Sequence, residues 1–194
     1  MTDWKKRLKE NLEPLLKLPD PRPKISAYNN MPYAIFRYPP ENEFDVRAEI
    51  TLLQTRLEQA GKEITRISLA KCLTAALEAE NITPEEVAEQ EKSMGVATTI
   101  ETIHNILSDS DYQPLDRLVL ERMPQNPDPT RDIVFIIRAG ALFPFYRTSS
   151  LLEQMMGTIQ VPAVLFYPGS LDGAAGLRFM GILDAEHNYR PKIF

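Results

Sequence analysis

Apolar residues recur at helical spacing through the first 18 residues of the chain, and lysine and arginine side chains occupy the other faces. The stripe consists of Trp4, Leu8, Leu12, and Leu15 or Leu16. This pattern predicts an N-terminal amphipathic helix over 1–18. We expect this helix to dock on its own domain, because basic amphipathic helices are common and unspecific. The proline-rich LPDPRPK that follows predicts a short extended linker.

Short β-type runs alternate with helical stripes in the rest of the chain. The β-type runs are MPYAIFRYPP, EITRISL, DIVFIIR and VPAVLFYPG. Helix is the alternative for the first half of EITRISLAKCLTAALEAE. Residues 83–123 interrupt this alternation, because their apolar residues recur at helical spacing only. A capping box from Thr83 to Glu86 marks the start of the first helix. This stretch therefore predicts a helical insertion.

Strands that alternate with helices predict an α/β fold, with a central, largely parallel sheet and helices on both faces. DIVFIIR is almost continuously apolar, as a central strand covered on both faces should be. LRFMGIL and YRPKIF are candidates for pairing at the sheet edge. Since 194 residues fit one domain of ordinary size, we expect 1–194 to form a single domain on a Rossmann-like or P-loop-like scaffold.

The order of strand, glycine turn and helix in RDIVFIIRAGALFPFYRTSS is one that binds phosphate in many nucleotide-binding proteins. The strings that such loops need, GxxxxGK[ST] and GxGxxG, are both absent. Bulky LFPF follows Gly140, so few free amides remain for a phosphate. We therefore expect no cofactor. The alternative is a divergent nucleotide or phosphate site formed by Arg138, Gly140 and Arg147.

The net charge of −5 argues against a broad surface for nucleic acid. DNA binding through the basic N-terminal helix stays as an alternative. The single Cys72 lies in an apolar stretch and predicts a buried thiol in a reducing compartment. Neither a signal-peptide core nor an apolar run of about 18 residues is present, so we expect a cytoplasmic protein that does not enter a membrane.

The side chains that usually perform catalysis do not form a recognisable set. Glu101 and His104 lie one helical turn apart, but a di-iron site would need several more carboxylates. Ser149 and Ser150 fall inside a predicted helix rather than in a GxSxG turn. We therefore expect neither a metal site nor an enzyme.

Arginine and tyrosine side chains near the predicted strand ends are the remaining polar signal. Both residue types are favoured at protein interfaces, and the planar guanidinium suits carboxylates and phosphates. Our candidate partner-binding residues are Tyr38, Arg147, Tyr167, Arg178 and Tyr189. The alternative is that the arginines pair with acidic residues of the same chain or cover its apolar surface.

The second half of the chain resembles the BrxB family, small core proteins of the BREX bacteriophage-exclusion systems. The resemblance rests on the turn at 138–140, FPFYR ending at Arg147, VPAVLFYPG, the LRF around Arg178, and Tyr189-Arg190. Arg138 replaces the first glycine of the family turn, and YRPKIF stands where relatives often have YRAF.

The resemblance implies a non-enzymatic accessory subunit of a defence complex. Its expected direct partner is a PglZ-like protein of the phosphatase type. An AAA-type ATPase and a DNA adenine methyltransferase belong to the same systems, and nucleic acid would be reached only through the complex.

Overall fold

A mostly parallel sheet forms the centre of the computed structural model, which describes residues 2–26, 31–173, 176–187 and 191–194. The strands within these ranges are β1 Tyr33–Tyr38, β2 Glu63–Ser68, β3 Asp132–Ile137, β4 Ala163–Asp172, β5 Gly176–Phe179 and β6 Lys192–Ile193. They lie in the order β2-β3-β4-β1-β6, and all of these neighbours are parallel. β5 pairs antiparallel with the end of β4. The predicted fold class is confirmed.

The helices of the described residues precede, link and cover these strands. They are α1 Asp3–Arg7, α2 Glu13–Leu16, α3 Arg22–Ile25, α4 Glu43–Gln59, α5 Leu69–Ala79, α6 Pro84–Met94, α7 Val96–Ser108, α8 Leu115–Leu120 and α9 Thr148–Gln154. The capping box that starts α6 is present, with Glu86 N donating to Thr83 Oγ1 at 3.2 Å and Thr83 N donating to Glu86 Oε2 at 2.8 Å. Helices α6, α7 and α8 occupy the stretch 83–123.

Each face of the sheet carries its own apolar core, because successive strand residues point to opposite faces. On one face, Ile35, Val134 and Leu165 pack under α5, α7, α8 and α9. On the other face, Phe36, Phe135 and Phe166 pack under the N-terminal helices and α4. The Phe166 ring centroid is 5.2 Å from that of Phe135 and 5.7 Å from that of Phe36. This burial on both faces explains the continuous apolar runs in the sequence.

The N-terminal helix docks on its own domain, as predicted, and its stripe is fully buried at Trp4, Leu8, Leu12 and Leu16. A spacing of four residues drifts by about 40° per step around an ideal α-helix of 3.6 residues per turn. The π-helical turn Leu8–Leu12 between α1 and α2 holds more residues per turn and reduces this drift. The stripe therefore stays on one face.

One local prediction was wrong. The LPDPRPK segment is not wholly extended, because α3 begins at Arg22, whose backbone N–H donates to Asp20 Oδ1 at 3.0 Å. A proline in the first turn suits this start, since its N–H is not needed there. Both candidates for edge pairing form strands: YRPKIF contributes β6, which pairs with β1 at the end of the sheet, and the LRF of LRFMGIL lies in β5, which pairs with β4. β5 ends at Phe179, because Met180 at φ 54° and Gly181 at φ 70° form a turn there.

A group of ionic side chains, the helix-docking cluster of Glu13, Lys17, Glu49 and Arg56, fixes the N-terminal helix to α4. Arg56 Nε lies 3.0 Å from both oxygens of Glu13, and Arg56 Nη2 lies 2.8 Å from Glu13 and 3.1 Å from Glu49. Lys17 Nζ lies 2.8 Å from Glu13 Oε1. Burial opposes ionisation of Glu13, but the hydrogen bonds from Arg56 and Lys17 outweigh it and hold the pKa of this carboxyl below its ordinary value.

Candidate partner-binding site

The carboxyl ends of the parallel strands meet at one edge of the sheet, where α/β proteins usually bind their ligands. β1 ends at Tyr38, β3 ends at Ile137, and β4 reaches Tyr167 beside Arg37 of β1. The turn after β3 and the β4–β5 hairpin continue from this edge. Most of the predicted site residues lie on these segments.

Tyr38, Glu43 and Arg138 form a connected group at this edge. The Tyr38 hydroxyl donates to Glu43 Oε2, and Arg138 Nε lies 3.5 Å from Glu43 Oε1. Burial, followed by the negative charge of Glu43 and the hydrogen bond to it, raises the pKa of Tyr38 far above its ordinary value. Tyr38 therefore stays protonated and acts as a donor that positions Glu43. Glu43 in turn holds the guanidinium of Arg138, whose side chain is 37% exposed.

The turn after β3 is filled by the protein's own side chains. Arg138 adopts a left-handed conformation with φ 64°, and a 3₁₀ turn, Ala139–Leu142, follows it. A Cβ placed on Gly140 would lie 3.4 Å from Met180 Sδ and 3.5 Å from Pro168 Cγ. Met180 and Pro168 therefore cover the position where a phosphate would approach a glycine-rich loop.

The other predicted arginines each contact a carboxylate of the same chain. Arg147 Nη1 lies 2.9 Å from Glu186 Oε1, and Arg178 Nη2 lies 3.5 Å from Asp172 Oδ1. Their side chains are nevertheless about as exposed as that of Arg138. Exposed pairs of this kind add little to stability, so these arginines are available to a partner.

The predicted tyrosines take a different position from the arginines. Tyr38 and Tyr167 are buried, and the Tyr167 ring centroid lies 5.4 Å from that of Phe179. These two side chains support the edge from beneath and do not form its surface. Tyr189 lies outside the described residues.

Exposed apolar side chains border the same edge, and the sequence analysis missed them. Phe44 is 79% exposed in the first turn of α4, directly after Glu43, and the Arg47 guanidinium lies 5.7 Å from its ring centroid. Ile182, which follows the Met180 turn, is 69% exposed, and Leu171 in the hairpin is also exposed. We call Phe44, Arg138, Leu171, Arg178 and Ile182 the carboxyl-edge surface.

The basic side chains of the N-terminal helix are engaged within the protein. Lys9 Nζ lies 3.7 Å from Glu49, Arg7 Nε lies 2.9 Å from Asp3, and Lys6 Nζ lies 3.9 Å from Glu10. Lys5 Nζ lies 5.3 Å from the Trp4 ring centroid. These contacts reduce the local positive field that DNA binding requires.

His104 and Cys72, which the sequence analysis considered for chemistry, have structural roles. His104 Nδ1 lies 2.9 Å from the Phe145 carbonyl oxygen, to which it donates, so the ring ties α7 to the segment before α9. Cys72 is buried, as predicted, and burial raises the pKa of its thiol, which keeps it protonated and unreactive. Across the residues that the structure describes, no three His, Cys, Asp or Glu side chains are grouped to hold a metal ion. None of the described helices is long and apolar enough to cross a membrane.

The fold and this edge define a class of protein: a parallel α/β domain in which the turn after β3 is packed by side chains instead of being open to phosphate. The chain belongs to the BrxB family, whose model, described as BREX protein BrxB, matches residues 65–193. A curated relative, BREX protein BrxB of Bacillus cereus (strain H3081.97), is 27% identical over 192 residues, which cover 95% of this chain and 96% of the relative. No solved structure matches the chain. The predicted family is confirmed, and with it an association with BREX systems.

Proposed function

We propose that this chain is a non-enzymatic binding subunit of a BREX anti-phage complex and that its carboxyl-edge surface holds a PglZ-like partner of the phosphatase type. The observation that supports this proposal is the contrast at the end of β3. Met180 and Pro168 fill the usual ligand position over Gly140, while Phe44, which follows Glu43, and Ile182, which follows the Met180 turn, are exposed. A protein partner fits such a surface better than a small ligand does.

The aromatic and arginine side chains of the carboxyl-edge surface, Phe44, Arg138 and Arg178, are of the kinds that dominate binding energy at protein interfaces. A few aromatic and arginine residues usually supply most of that energy, within a ring of weaker contacts that exclude water. Phe44 offers an aromatic ring whose burial would gain free energy. Arg138 offers a guanidinium that Glu43 already holds, so a partner would lose little side-chain entropy on contacting it.

Membership of the BrxB family supports the choice of a BREX partner. Other BREX subunits are plausible partners, and we propose that the PglZ-like protein is the direct one. The AAA-type ATPase and the DNA methyltransferase would then be reached through it, and nucleic acid only through the assembled complex. Cytoplasmic location belongs to the same proposal.

Affinity co-purification from the native host, followed by mass spectrometry of the retained proteins, tests this function. The tagged wild-type chain is compared with Phe44→Ser and Ile182→Ser, which remove exposed apolar contacts at the edge. Met94→Ser is the matched control, because Met94 is 61% exposed on α6, on the helical stretch 83–123. Thermal unfolding of each variant verifies that it folds.

We expect the wild type and Met94→Ser to retain a PglZ-like protein, and the two edge variants to lose most of it with unchanged thermal midpoints. If Met94→Ser loses the partner and the edge variants keep it, the interface lies on α6 instead. A wild-type chain that retains no BREX subunit would refute the proposed function.

A further inference from the structure

Arg138 begins the turn after β3 in a left-handed backbone conformation, with φ 64° and ψ 35°. This conformation brings the Cβ of an L-residue close to a carbonyl oxygen, so glycine adopts it most readily. Asparagine tolerates it better than other residues do, because its short side chain can form local hydrogen bonds. An arginine at this position therefore costs stability that a glycine would not cost.

The strained backbone positions of the described residues are concentrated at this turn. Four non-glycine residues within the described ranges have positive φ, and two of them, Asn81 and Asn126, are of the tolerant type. The other two are Arg138 and Met180, and Met180 Sδ would lie 3.4 Å from a Cβ placed on Gly140. Backbone strain of this kind clusters at functional sites. This placement favours a functional role for the Arg138 side chain.

The guanidinium of Arg138 is oriented by a carboxylate that is itself held at both oxygens. Glu43 Oε1 lies 3.5 Å from Arg138 Nε, and Glu43 Oε2 accepts the hydrogen bond of the buried Tyr38. Among the described residues, none accepts a hydrogen bond from Nη1 or Nη2 of Arg138, whose side chain is 37% exposed. These two nitrogens form the end of the planar guanidinium fork, and they remain available to a ligand.

Arg56 shows how a guanidinium beside α4 is completed elsewhere in this chain. It contacts two carboxylates, with Nη2 at 2.8 Å from Glu13 and at 3.1 Å from Glu49. Arg138 has only Glu43 among the described carboxylates, so a second carboxylate would complete it in the same way. Phosphate suits the position less, because it carries about 1.5 to 2 negative charges at pH 7 and Glu43 already lies there.

We propose that Arg138 determines the specificity of the carboxyl-edge surface by binding an aspartate or glutamate side chain of the protein partner. The existence of this partner rests on the proposed function, whereas the strain and the orientation of Arg138 are properties of this chain alone. A guanidinium pairs with a carboxylate through two parallel hydrogen bonds, so a surface without an acidic residue at this point is rejected. The cost of a left-handed arginine is retained because the side chain recognises this carboxylate.

A comparison of Arg138→Gly with Arg138→Ala tests the strain without any partner. Both variants lose the guanidinium and its contact with Glu43, and only alanine keeps a Cβ in the left-handed conformation. We expect Arg138→Gly to unfold about 2–4 °C above Arg138→Ala in a thermal scan. Asn81→Gly is the control, and its midpoint should stay close to that of the wild type, because asparagine tolerates positive φ. Equal midpoints for the two Arg138 variants would overturn the inference.

The ligand is tested by titration of the purified PglZ-like partner into Arg138→Lys, Arg138→Gly and Asn81→Gly. Lysine keeps the positive charge but lacks the planar fork. We expect both Arg138 variants to lose at least about tenfold in affinity, the scale of hydrogen bonds to a charged group. Asn81→Gly should bind as the wild type does, because Asn81 lies in the turn between α5 and α6.

Carbodiimide treatment of the complex formed by Arg138→Lys identifies the ligand directly, because this reagent joins an amine to a carboxylate in contact with it. With excess partner, mass spectrometry should find position 138 coupled to an aspartate or glutamate of the partner. Coupling to Glu43 alone, or wild-type affinity in Arg138→Lys, would overturn the carboxylate ligand. A wild-type chain that retains no partner would refute the proposed function and the ligand together, whereas normal binding by the Arg138 variants would refute the ligand alone.

Discussion

The helix-docking cluster and the carboxyl-edge surface each contain an arginine that contacts a glutamate of α4, Arg56 with Glu49 and Arg138 with Glu43, but under different conditions. In the cluster, Arg56 contacts two glutamates through several short bonds, and Glu13 and Glu49 are almost fully buried. At the edge, Arg138 is held through one nitrogen at 3.5 Å from Glu43. Phe44 next to that contact is 79% exposed.

The difference indicates that the protein uses glutamate–arginine ion pairs in two ways. In the cluster it is the two carboxylates that are buried, so loss of Arg56 would leave charges inside the protein. A half-exposed pair with one contact adds little to stability but positions a guanidinium in advance. We therefore expect the cluster to determine stability and the edge to determine binding.

The largest effect is expected from breaking the cluster with Arg56→Ala. Of the described cations, Glu13 and Glu49 would keep Lys17 and Lys9, so the free energy of unfolding should fall by about 3 kcal/mol, the lower end for a broken buried pair. Chemical denaturation measures the change. The control is Arg131→Ala, whose pair with Glu63 is exposed and should contribute less than about 1 kcal/mol. Equal losses in the two variants would remove the distinction between buried and exposed pairs.

A smaller effect, with a defined pH dependence, is expected from Glu13→Gln. Because the folded-state pKa of Glu13 is lowered, its contribution is fully present above the ordinary value of 4.5 and is lost as pH falls through the folded pKa. At neutral pH the variant should be less stable by roughly 2 kcal/mol, the scale of hydrogen bonds to a charged group. The difference should shrink below pH 4.5 in denaturation curves. A constant difference across this range would show that ionisation of Glu13 is not its source.

A minor effect is expected from Gly140→Ala in the turn after β3. The added methyl group would make ordinary contacts with Met180 and Pro168, so the change in stability should stay within about 1 kcal/mol. Gly169→Ala is the contrasting control, because a Cβ there would lie 2.4 Å from the Arg178 carbonyl oxygen, and overpacking typically costs about 1–3 kcal/mol. Loss of partner binding in a stable Gly140→Ala chain would instead give this glycine a role in binding.

No thermal shift is expected with ATP, GTP or inorganic phosphate. A ligand at 100 times its dissociation constant would add about 2.7 kcal/mol of stability. Met180 and Pro168 occupy the approach to Gly140, so we expect the midpoint to stay unchanged in differential scanning fluorimetry. A saturable shift that Arg138→Ala and Arg147→Ala both remove would establish the alternative phosphate site.

Periodicity in the sequence predicted the fold class and most elements, because burial imposes a period of 3.6 on helices and continuous apolar runs on covered strands. The same signal predicts an exposed Phe44. The apolar stripe of α4 consists of Val46, Ile50, Leu53 and Leu57, and Phe44 does not lie on it. The stripe of the N-terminal helix likewise predicted its docking. These features depend on spacing along the chain alone.

The candidate site was less predictable because it depends on tertiary contacts. The burial of Tyr167 follows from the hairpin that brings Phe179 over it, and no local pattern encodes that contact. Ile182 is exposed because Met180 and Gly181 take positive φ and end β5, although the sequence suggested a longer strand. The position of β2 at the sheet end also follows from strand order, which periodicity does not contain.

The most direct test of this account is a crossed comparison of Arg138→Ala and Arg56→Ala, with the free energy of unfolding and the affinity for the PglZ-like partner measured on the same preparations. We predict that Arg138→Ala keeps its stability and loses at least about tenfold in affinity, or about 1.4 kcal/mol. Arg56→Ala should lose stability and, at a temperature where it is folded, bind as the wild type does. An Arg138→Ala chain that binds normally, or two variants that lose stability and affinity together, would contradict the account.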